Sequence, residues 1–444
     1  MESNGINGHA SPKSGIKIIV VGAGFGGLGA AIECNRQGHD VVIYEQFPEL
    51  KQLGDIISFM PNAGRIFYRW GNGEVTSRMR PLSINHKGFN IHKFDSGEVA
   101  FHQPPAVWVE EAASYHGHRG ELHEVVFDYV RKDLGIPIHL NQRIEEYFEE
   151  DGQSGIILSS GEKVSADVVI ASDGVRSKAR QVVLGYEDKP KSSGYAVWRA
   201  WYVKTPSNAD TNPSEVSRFS NTDMVADPET AHFCTNGDTF NGWIGPDMHF
   251  LFSTIKNGSD CCWVLTHPDE HDIDESWSFP GKISEALEAV KDWDPMVSRI
   301  ISKTPESHLV DWKLVYRDPL PTWVSPKGRI LLLGDSAHPF LPTAAQGATQ
   351  ALEDGVTIAV CLKRAGKDRV PTALRAHEKI RYERVRAVQK TGETTRDKWH
   401  KTQWDAVKTN PKLLEFPRED WVFGHDAEKH AEETFEAVLR ELEA

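Results

Sequence analysis

The chain has 444 residues and a formal net charge of −14, from 50 lysines and arginines against 64 aspartates and glutamates. A chain of this length is too long for a single hydrophobic core and is typical of two closely joined domains. The acidic balance argues against nucleic acid or an anionic membrane as a partner. No apolar run reaches the roughly 18 residues that span a bilayer. The five cysteines show no C-x-x-C spacing, which favours a reducing, cytoplasmic location.

A strand, a glycine-rich turn, a helix and a second strand are predicted in that order near the start of the chain. Residues 16–21 are almost wholly apolar, as in a buried parallel strand. Helical character then runs to Gln37, where Gly38 ends it, and residues 40–45 predict the next strand. Residues 1–15, rich in Asn, Gly and Ser, are predicted to be a disordered tail.

The middle of the chain predicts strands of two kinds. A helix is expected over residues 121–133, and short strands are expected over residues 155–158 and 164–171. From residue 191 to residue 255, aromatic and β-branched residues alternate with polar ones. Such alternation indicates an antiparallel sheet with one buried face.

The last part of the chain is mostly helical after one short strand, predicted over residues 329–333. Helical periodicity dominates from Gly347 onward. The run 375–390 is rich in charged residues of both signs and predicts a solvent-facing helix side with i,i+4 charge pairs. Residues 425–444 place apolar side chains at helical spacing, so this helix should pack against the body. Together the elements predict an α/β domain interrupted by a β-rich domain, with a helical C-terminal part.

The turn after the first strand carries a G-x-G-x-x-G pattern. Gly22 permits the tight turn, Gly24 lets a pyrophosphate approach the backbone, and Gly27 lets helix and strand pack closely. The N–H groups at the helix N-terminus favour phosphate binding. Glu45, about twenty residues later, can hold ribose hydroxyls. We therefore predict a dinucleotide site formed by Gly22, Gly24, Phe25, Gly26, Gly27 and Glu45.

A second pattern, late in the chain, distinguishes a flavin from a nicotinamide dinucleotide. The sequence Gly-Asp-Ser-Ala-His-Pro, residues 334–339, follows the predicted strand, and Gly347 and Ala348 come shortly after. Asp335 can bind the hydroxyls of a ribityl chain, which a nicotinamide dinucleotide lacks. A helix that starts at Gly347 would aim its N-terminus at the N1–C2=O edge of an isoalloxazine ring and stabilise the reduced anion.

A third pattern lies between the other two, over residues 166–177, and includes Asp173. In order and separation the three patterns resemble those of the group A flavoprotein monooxygenases, a family that includes para-hydroxybenzoate hydroxylase, salicylate hydroxylase and kynurenine monooxygenase. The resemblance covers nearly the whole chain. It is greatest to fungal salicylate hydroxylase-like enzymes, which also carry Pro61-Asn62-Ala63 and a late pair like His425-Asp426.

The resemblance implies an FAD enzyme that uses NADH or NADPH and O2 to hydroxylate or epoxidise an aromatic or heteroaromatic small molecule through a flavin C4a-hydroperoxide. It implies an α/β fold of the glutathione-reductase type, in which a Rossmann domain that binds FAD is interleaved with a β-rich (α+β) substrate domain. The FAD-binding domain is expected over residues 16–75, 105–185 and 310–365, and the substrate domain over residues 76–104 and 186–309. A C-terminal helical region is expected over residues 366–444, and a monomer or homodimer is expected.

Further site residues follow from the resemblance alone. Arg119 and Asp173 match family residues that contact FAD. Arg199 matches an arginine that in some relatives points from the substrate sheet into the active site and could be catalytic; a structural pairing with a carboxylate is the alternative. Ile56 stands where the family has small residues and is expected to narrow the space near the flavin. The residues expected to contact substrate are Trp198, Pro339 and Pro342.

Two other functions fit parts of these patterns. A flavin-dependent reductase or dehydrogenase could use the same scaffold and would turn over without O2. A non-enzymatic dinucleotide-binding protein would be colourless, and the pattern from Asp335 to Ala348 argues against it. His116, His118 and His123 match no tetrahedral metal signature, so no metal is predicted.

Overall fold

The computed structural model describes residues 12–49, 56–106, 108–202, 222–269, 279–304 and 309–444. Elements are numbered below in chain order along those residues. Most of the predicted tail lies outside the described residues. Within the described part, the Ser14 hydroxyl lies 2.7 Å from His39 Nδ1. The chain is therefore already held to the body at Ser14, earlier than predicted.

A five-stranded parallel sheet forms the centre of the first domain. Its strands are β1 (Lys17–Val21), β2 (Asp40–Tyr44), β7 (Ile138–His139), β11 (Val168–Ala171) and β18 (Ile330–Leu332). Their spatial order is β18-β11-β1-β2-β7. The strands β1, β11 and β18 consist almost wholly of buried apolar residues, because both faces of the sheet are covered. The strands predicted around the glycine turn and before Asp335 are therefore confirmed.

The predicted strand over residues 164–171 is wrong in one respect, because it is two strands in two sheets. β10 (Lys163–Ala166) is antiparallel to β9 (Gln153–Leu158), which pairs with β8 (Ile144–Glu150). β11 instead runs parallel to β1. Asp167 lies between β10 and β11, and its carboxylate accepts a hydrogen bond from the Lys17 N–H at 2.8 Å. The chain changes sheet at this residue.

An eight-stranded sheet forms the β-rich domain. In spatial order its strands are β16 (Phe279–Pro280), β17 (Val310–Tyr316), β12 (Lys191–Tyr202), β15 (Asp260–Pro268), β14 (Met248–Ile255), β13 (Asp238–Gly245), β4 (His86–Lys93) and β5 (Val99–Gln103). Neighbours are antiparallel, except that β13 and β4 are parallel. The predicted domain boundary at residue 310 is wrong, because β17 pairs with β12 and belongs to this sheet. Near the first domain, β3 (Ile56–Phe59) and β6 (Tyr115–His118) pair with each other.

The helices cover the sheets and dominate the C-terminal part. They are α1 (Phe25–Arg36), α2 (Pro61–Arg69), α3 (Glu74–Met79), α4 (Arg119–Asp128), α5 (Ala179–Leu184), α6 (Thr222–Ala226), α7 (Ala231–Thr235), α8 (Ile283–Ala289), α9 (Pro295–Ile301), α10 (Gly347–Ala365), α11 (Val370–His400), α12 (Trp404–Thr409), α13 (Asp420–Phe423) and α14 (Ala427–Glu443). Along the described ranges, none of them combines the length and apolar character that a membrane crossing needs.

The long helix α10 packs directly on α1. A Cβ on Gly355 would lie 2.8 Å from the backbone nitrogen of Ala30, so the helices approach this closely only because residue 355 is glycine. The helix predicted near the C-terminus is α14, which buries Ala431 and Phe435 against the body. The packing of α10 on α1 places the N-termini of both helices at the same side of the parallel sheet.

Candidate active site

One cavity of about 1390 Å³ is lined by residues from both domains. Its lining includes the glycine turn after β1, the loop after β11, and the segment between β18 and α10. It also includes side chains from the strands β12, β14, β15 and β17 of the eight-stranded sheet. The three sequence patterns, far apart in the chain, therefore share a single cavity with a face of the β-rich domain.

The glycine turn has close contacts at two glycines and open space at a third. Gly22 has a φ of 96°, and a Cβ there would lie 2.3 Å from the carbonyl oxygen of Ser172. A Cβ on Gly27 would lie 1.9 Å from the carbonyl oxygen of Gly22. Around Gly24, no atom of the described residues other than its immediate chain neighbours lies within 4 Å of the place where a Cβ would be. Gly24 lines the cavity and so leaves room for a ligand at the N-terminus of α1.

Phe25 and Gly26 contribute to packing beside this turn. The buried Phe25 ring meets the Phe59 ring edge to face, with centroids 4.9 Å apart. A Cβ on Gly26 would lie 3.1 Å from Ala351 Cβ, so Gly26 lets α1 approach α10. Phe25 also lines the cavity, and its predicted contact with the cofactor stays a prediction.

Glu45 holds the glycine turn in place. Its Oε2 accepts a hydrogen bond from the Ala23 N–H at 2.8 Å, and its Oε1 accepts one from the Phe47 N–H at 2.9 Å. A carboxylate oxygen has lone pairs for more than one donor. Glu45 also lines the cavity, so it can accept hydrogen bonds from a ligand while it fixes the turn.

Asp173 lies in the loop after β11 and lines the cavity. Its Oδ2 accepts hydrogen bonds from the Tyr147 hydroxyl at 2.8 Å and from the Lys178 N–H at 3.1 Å. Burial raises the pKa of Asp173, and hydrogen bonds from Ser177 and Tyr147 oppose that shift. The carboxylate is therefore held in a fixed position at the cavity surface.

Asp335 lies directly after β18, in a short turn of 3-10 helix that begins at Gly334. Gly334 has a φ of 66°, which favours glycine. Burial raises the pKa of the Asp335 carboxyl, and the nearby charges of His338, Arg119 and Arg180 act in the opposite direction. Asp335 and Arg119, the first residue of α4, both line the cavity.

Arg180, which was not among the predicted site residues, links the second sequence pattern to the third through its hydrogen bonds. Its guanidinium donates to the carbonyl oxygens of Asp335 at 2.6 Å, Ser336 at 2.7 Å and Val175 at 2.5 Å. Burial, together with the charge of Arg317, lowers its pKa to about 10, so it stays cationic at neutral pH. Its signal in the sequence was its place just beyond the third pattern, where a second arginine follows Arg176.

Helix α10 begins at Gly347, as predicted, and both Gly347 and Ala348 line the cavity. The preceding Ala345 has a φ of 50°, an unusual conformation for a residue with a side chain. Asn62 donates to Gln346 Oε1 at 3.0 Å and to Glu353 Oε1 at 2.7 Å. The Pro61-Asn62-Ala63 sequence thus holds the N-terminal turn of α10.

A buried network of charges lies behind that turn. Glu353 Oε2 is 2.6 Å from Arg381 Nη1 and 2.8 Å from Arg384 Nε. Asp354 is 2.8 Å from Arg381 Nε and 2.6 Å from His338 Nε2. Burial alone would raise the pKa of Glu353, but the two arginines lower it to about 2. The prediction that residues 375–390 face solvent is therefore wrong at Arg381, which is only 1% exposed. Its guanidinium is buried because it pairs with two carboxylates of α10.

Two of the three residues predicted to contact substrate do not line the cavity. Trp198 stacks on His267, with ring centroids 3.5 Å apart, and packs with the core under the sheet. Its neighbour Val197 points to the cavity instead, because side chains alternate along a strand. The carbonyl of Pro339 accepts a hydrogen bond from Gln389 on α11, away from the cavity lining. Pro342 does line the cavity.

Arg199 shares the face of β12 that carries Val197. Its side chain is buried, and its guanidinium carbon lies 5.1 Å from the centroid of the Trp312 ring. Trp312 lines the cavity. Arg199 is thus next to the cavity wall, and its predicted catalytic role stays a prediction.

Other residues named from the sequence lie at the same site. Ile56 lines the cavity, whereas the neighbouring Asp55 lies outside the described residues. His123 Nε2 lies 2.6 Å from the carbonyl oxygen of Ala23, and His118 caps the N-terminus of α4. His116 lines the cavity, and burial lowers its pKa to about 3.

The segment after α12 forms part of the cavity wall. Phe416 and Phe423 line the cavity. The Gln103 amide accepts from the Phe416 N–H at 2.8 Å and donates to the Phe416 carbonyl at 3.0 Å. One side chain thus replaces a β-strand partner and holds this segment against β5.

These features form one cavity between the parallel sheet and the eight-stranded sheet. The chain matches the FAD binding domain family over residues 129–391, and a NAD(P)-binding Rossmann-like domain over residues 20–50. The first match covers more than half of the chain, so the chain belongs to this FAD-binding family. It is an FAD-dependent monooxygenase of aromatic substrates with NAD(P)H as co-substrate, as its relatives also indicate. The reductase and non-enzymatic alternatives are set aside.

Among its relatives, the chain is 36% identical to asperlicin C monooxygenase from Petromyces alliaceus, over 97% of this chain and 90% of that protein. It is 33% identical to the FAD-dependent monooxygenase nanF from Aspergillus nanangensis, over 98% of this chain and 93% of that protein. The crystal structure of CtdE in complex with FAD and substrate 4 superposes with a TM-score of 0.87, at 33% identity, over 97% of this chain and 100% of that chain.

Proposed function

We propose that FAD lies along the cavity from the glycine turn to the N-terminus of α10. The open face of Gly24 and the N-terminus of α1 suit the diphosphate, and Glu45 suits the ribose. Asp335 and Arg119 suit the ribityl chain and the polar groups beside it. Gly347 and Ala348 offer backbone N–H groups to the flavin ring. When bound, the flavin supplies the redox chemistry that activates oxygen.

We further propose that the substrate is an aromatic or heteroaromatic ring system lying on the eight-stranded sheet. Apolar side chains line the cavity there, among them Val197, Leu251, Trp312 and Leu314. Ligand pockets typically have about 300–1,000 Å³, so a cavity of about 1390 Å³ has room for a cofactor and a ring system together. These walls also exclude water from an oxygen-activating centre.

Arg199 is proposed as a positioning residue in this region. A buried guanidinium over the Trp312 ring fixes the orientation of that ring through cation–π attraction. The ring in turn presents a flat apolar surface to the substrate. This role differs from direct contact with the reacting atoms.

The single observation that carries the proposal is the shared cavity, in which all three patterns meet a largely apolar face of the eight-stranded sheet. The test is a panel of phenols, benzoates, indoles and asperlicin C, assayed for stimulated NADH or NADPH oxidation with hydrogen peroxide measured alongside. We expect one class to stimulate oxidation with little peroxide and to give a product heavier by one oxygen atom. Turnover that continues without O2 would contradict the proposal.

We also propose a cytoplasmic monomer or homodimer. Cys34, Cys234, Cys261, Cys262 and Cys361 are all free and buried. Such thiols suit a reducing compartment. Light scattering of the purified protein measures the oligomeric state, and fractionation of the source cells tests the location.

A further inference from the structure

Three polar side chains form a chain of hydrogen bonds through the wall of the cavity. Thr266 on β15 and His249 on β14 line the cavity, and His400 ends α11 behind them. His249 Nε2 lies 3.1 Å from Thr266 Oγ1, and His249 Nδ1 lies 2.8 Å from His400 Nε2. None of the three residues is more than 5% exposed. An apolar wall would need no such chain, and the FAD site does not use it.

Both imidazoles are neutral at pH 7. Burial, together with the neighbouring His400, holds the pKa of His249 well below its usual range. Burial, together with Arg396, lowers the pKa of His400 to about 4. A neutral imidazole has one N–H donor and one acceptor nitrogen. The other charged groups that act on His400 are Asp247, Asp397 and Lys401.

The chain can therefore exist in two proton orders. In the first, Thr266 donates to His249 Nε2, His249 Nδ1–H donates to His400 Nε2, and His400 carries its proton on Nδ1. In the second, each of these protons has moved one position along the chain. Conversion from the first order to the second takes up one proton at Thr266 and releases one at His400 Nδ1, without charging either imidazole.

The far end of the chain lies near the protein surface. Among the described residues, His400 Nδ1 has no hydrogen-bond partner, although it is buried. The backbone N–H of the exposed Asp247 donates to the His400 carbonyl at 3.3 Å. The Asp247 carboxylate also acts electrostatically on the His400 ring and favours its protonated form.

We propose that Thr266, His249 and His400 form a proton path from the aromatic substrate to the surface near Asp247. The inference rests on the proposed oxygenation of an aromatic ring. When the ring forms its new C–O bond, an N–H or O–H group on that ring becomes more acidic. Its proton passes to Thr266 Oγ1, the Thr266 proton to His249 Nε2, the His249 Nδ1 proton to His400 Nε2, and the His400 Nδ1 proton to water beside Asp247. No group is oxidised or reduced in these transfers.

The first test needs no substrate. Histidine-labelled, FAD-loaded enzyme is studied by ¹⁵N NMR at pH 7, with His249→Gln and His400→Gln used for assignment. We expect two neutral imidazoles, and Thr266→Val should shift the ring-nitrogen signals of both histidines. The matched control is His92→Gln, which removes a buried histidine of the same sheet that is bonded to Gly97 and Asn241. A charged imidazole at either position, or unchanged His400 signals in Thr266→Val, would overturn the path.

The second test uses indole as the aromatic probe and NADH oxidation as the assay. Thr266→Val, His249→Gln and His400→Gln should each lower kcat about 100-fold, with KM little changed. The solvent deuterium isotope effect on kcat should rise, because proton release becomes rate-limiting. Thr266→Ser restores the hydroxyl and should recover most of the kcat that Thr266→Val loses.

The outcomes separate this inference from the proposed function. A higher KM with an unchanged kcat and isotope effect would show that these residues only bind substrate, and would overturn the path. If neither indole nor any other member of the panel stimulates NADH or NADPH oxidation in the unmodified enzyme, that result counts against the proposed function. The NMR experiment then still decides whether the three residues share a coupled proton.

Discussion

At the scale of single residues, Gly24 and Gly27 lie in one turn but face different surroundings. A Cβ at Gly27 would strike the Gly22 carbonyl, whereas a Cβ at Gly24 would extend into the cavity. We expect Gly27→Ala to lower the melting temperature. Gly24→Ala should change the free energy of unfolding by no more than about 0.5 kcal/mol but should weaken FAD binding, because the methyl group takes the place of the diphosphate. Thermal unfolding of flavin-free protein and flavin titration measure the two effects.

If Gly24→Ala bound FAD normally, the diphosphate would lie elsewhere in the cavity. If Gly24→Ala unfolded the protein, the prediction that a methyl group fits at residue 24 would be wrong. Each variant adds one methyl group to a glycine of the same turn, so each serves as the control for the other.

Asp335 is the residue that we expect to matter most for flavin retention. Asp335→Ala removes a buried carboxylate that lines the cavity and can accept hydrogen bonds from the ribityl hydroxyls. The variant should therefore lose flavin on dialysis. The measure is flavin absorbance per protein before and after dialysis. Asp318→Ala is the matched control, since Asp318 pairs with Lys191 at the surface. Full flavin retention by Asp335→Ala would contradict the ribityl assignment.

The sequence predicted single residues well where the backbone determines their role. Gly22, Gly24 and Gly27 have the turn, open space and close packing that were expected, because a G-x-G-x-x-G pattern constrains geometry locally. Trp198 was misplaced, because the register of β12 decides which neighbour faces the cavity. One strand read alone does not reveal which of its faces is covered.

At the scale of elements, α10 and α11 depend on the charges buried between them. Glu353→Gln would remove the carboxylate that Arg381 and Arg384 share and leave Arg381 with Asp354 alone, and breaking such a buried pair costs about 3–5 kcal/mol. The exposed pair of Glu432 with Arg364 supplies the control, because Glu432→Gln should cost less than about 1 kcal/mol. Urea denaturation at pH 7 measures both. Equal effects in the two variants would contradict a structural role for the network.

The same network predicts how stability depends on pH. The pKa of Glu353 is about 2 in the fold, below its ordinary value of 4.5. Its contribution, about 3 kcal/mol, is therefore complete above pH 4.5 and is lost as the pH falls toward 2. Glu353→Gln should be less stable at pH 7 but should lose less stability between pH 4.5 and pH 3. Denaturation midpoints at the three pH values test this, and parallel losses in both proteins would refute it.

The position of these arginines could not be predicted from α11 alone. Its charges of both signs resemble a solvated helix face, and only the packing of α10 against it reveals that Arg381 meets Glu353 and Asp354. The start of α10 at Gly347 was predictable, because helical periodicity begins there in the sequence. Local patterns thus predicted where elements begin but not which of their charges are buried.

At the scale of the whole molecule, the cavity is lined by both domains, so FAD should stabilise the entire chain. A ligand present at 100 times its Kd stabilises the folded state by about 2.7 kcal/mol. We expect FAD to raise the melting temperature of flavin-free protein by several degrees. Riboflavin, which lacks the diphosphate and adenosine, should raise it less, because it leaves the glycine turn empty. Equal shifts from the two ligands would argue that the turn takes no part in binding.

The overall architecture followed from the sequence in its main features. The Rossmann unit, the β-rich sheet and the helical C-terminal part were all expected from periodicity and from the order of the three patterns. The parallel pairing of β4 with β13 and the place of β17 in the large sheet were not, because residues far apart in the chain decide them. Long-range pairing is the information that a local pattern lacks.

The pairing of Gln103 with Phe416 also bears on how the protein is made. On the ribosome, the glycine turn emerges first, and the side chains that close the cavity emerge almost four hundred residues later. The turn itself packs on Ser172 and Ala351, and the cavity wall at Phe416 and Phe423 is synthesised after every other part of the pocket. An mRNA that ends before the codon for Phe416 would therefore encode every pocket residue except this wall.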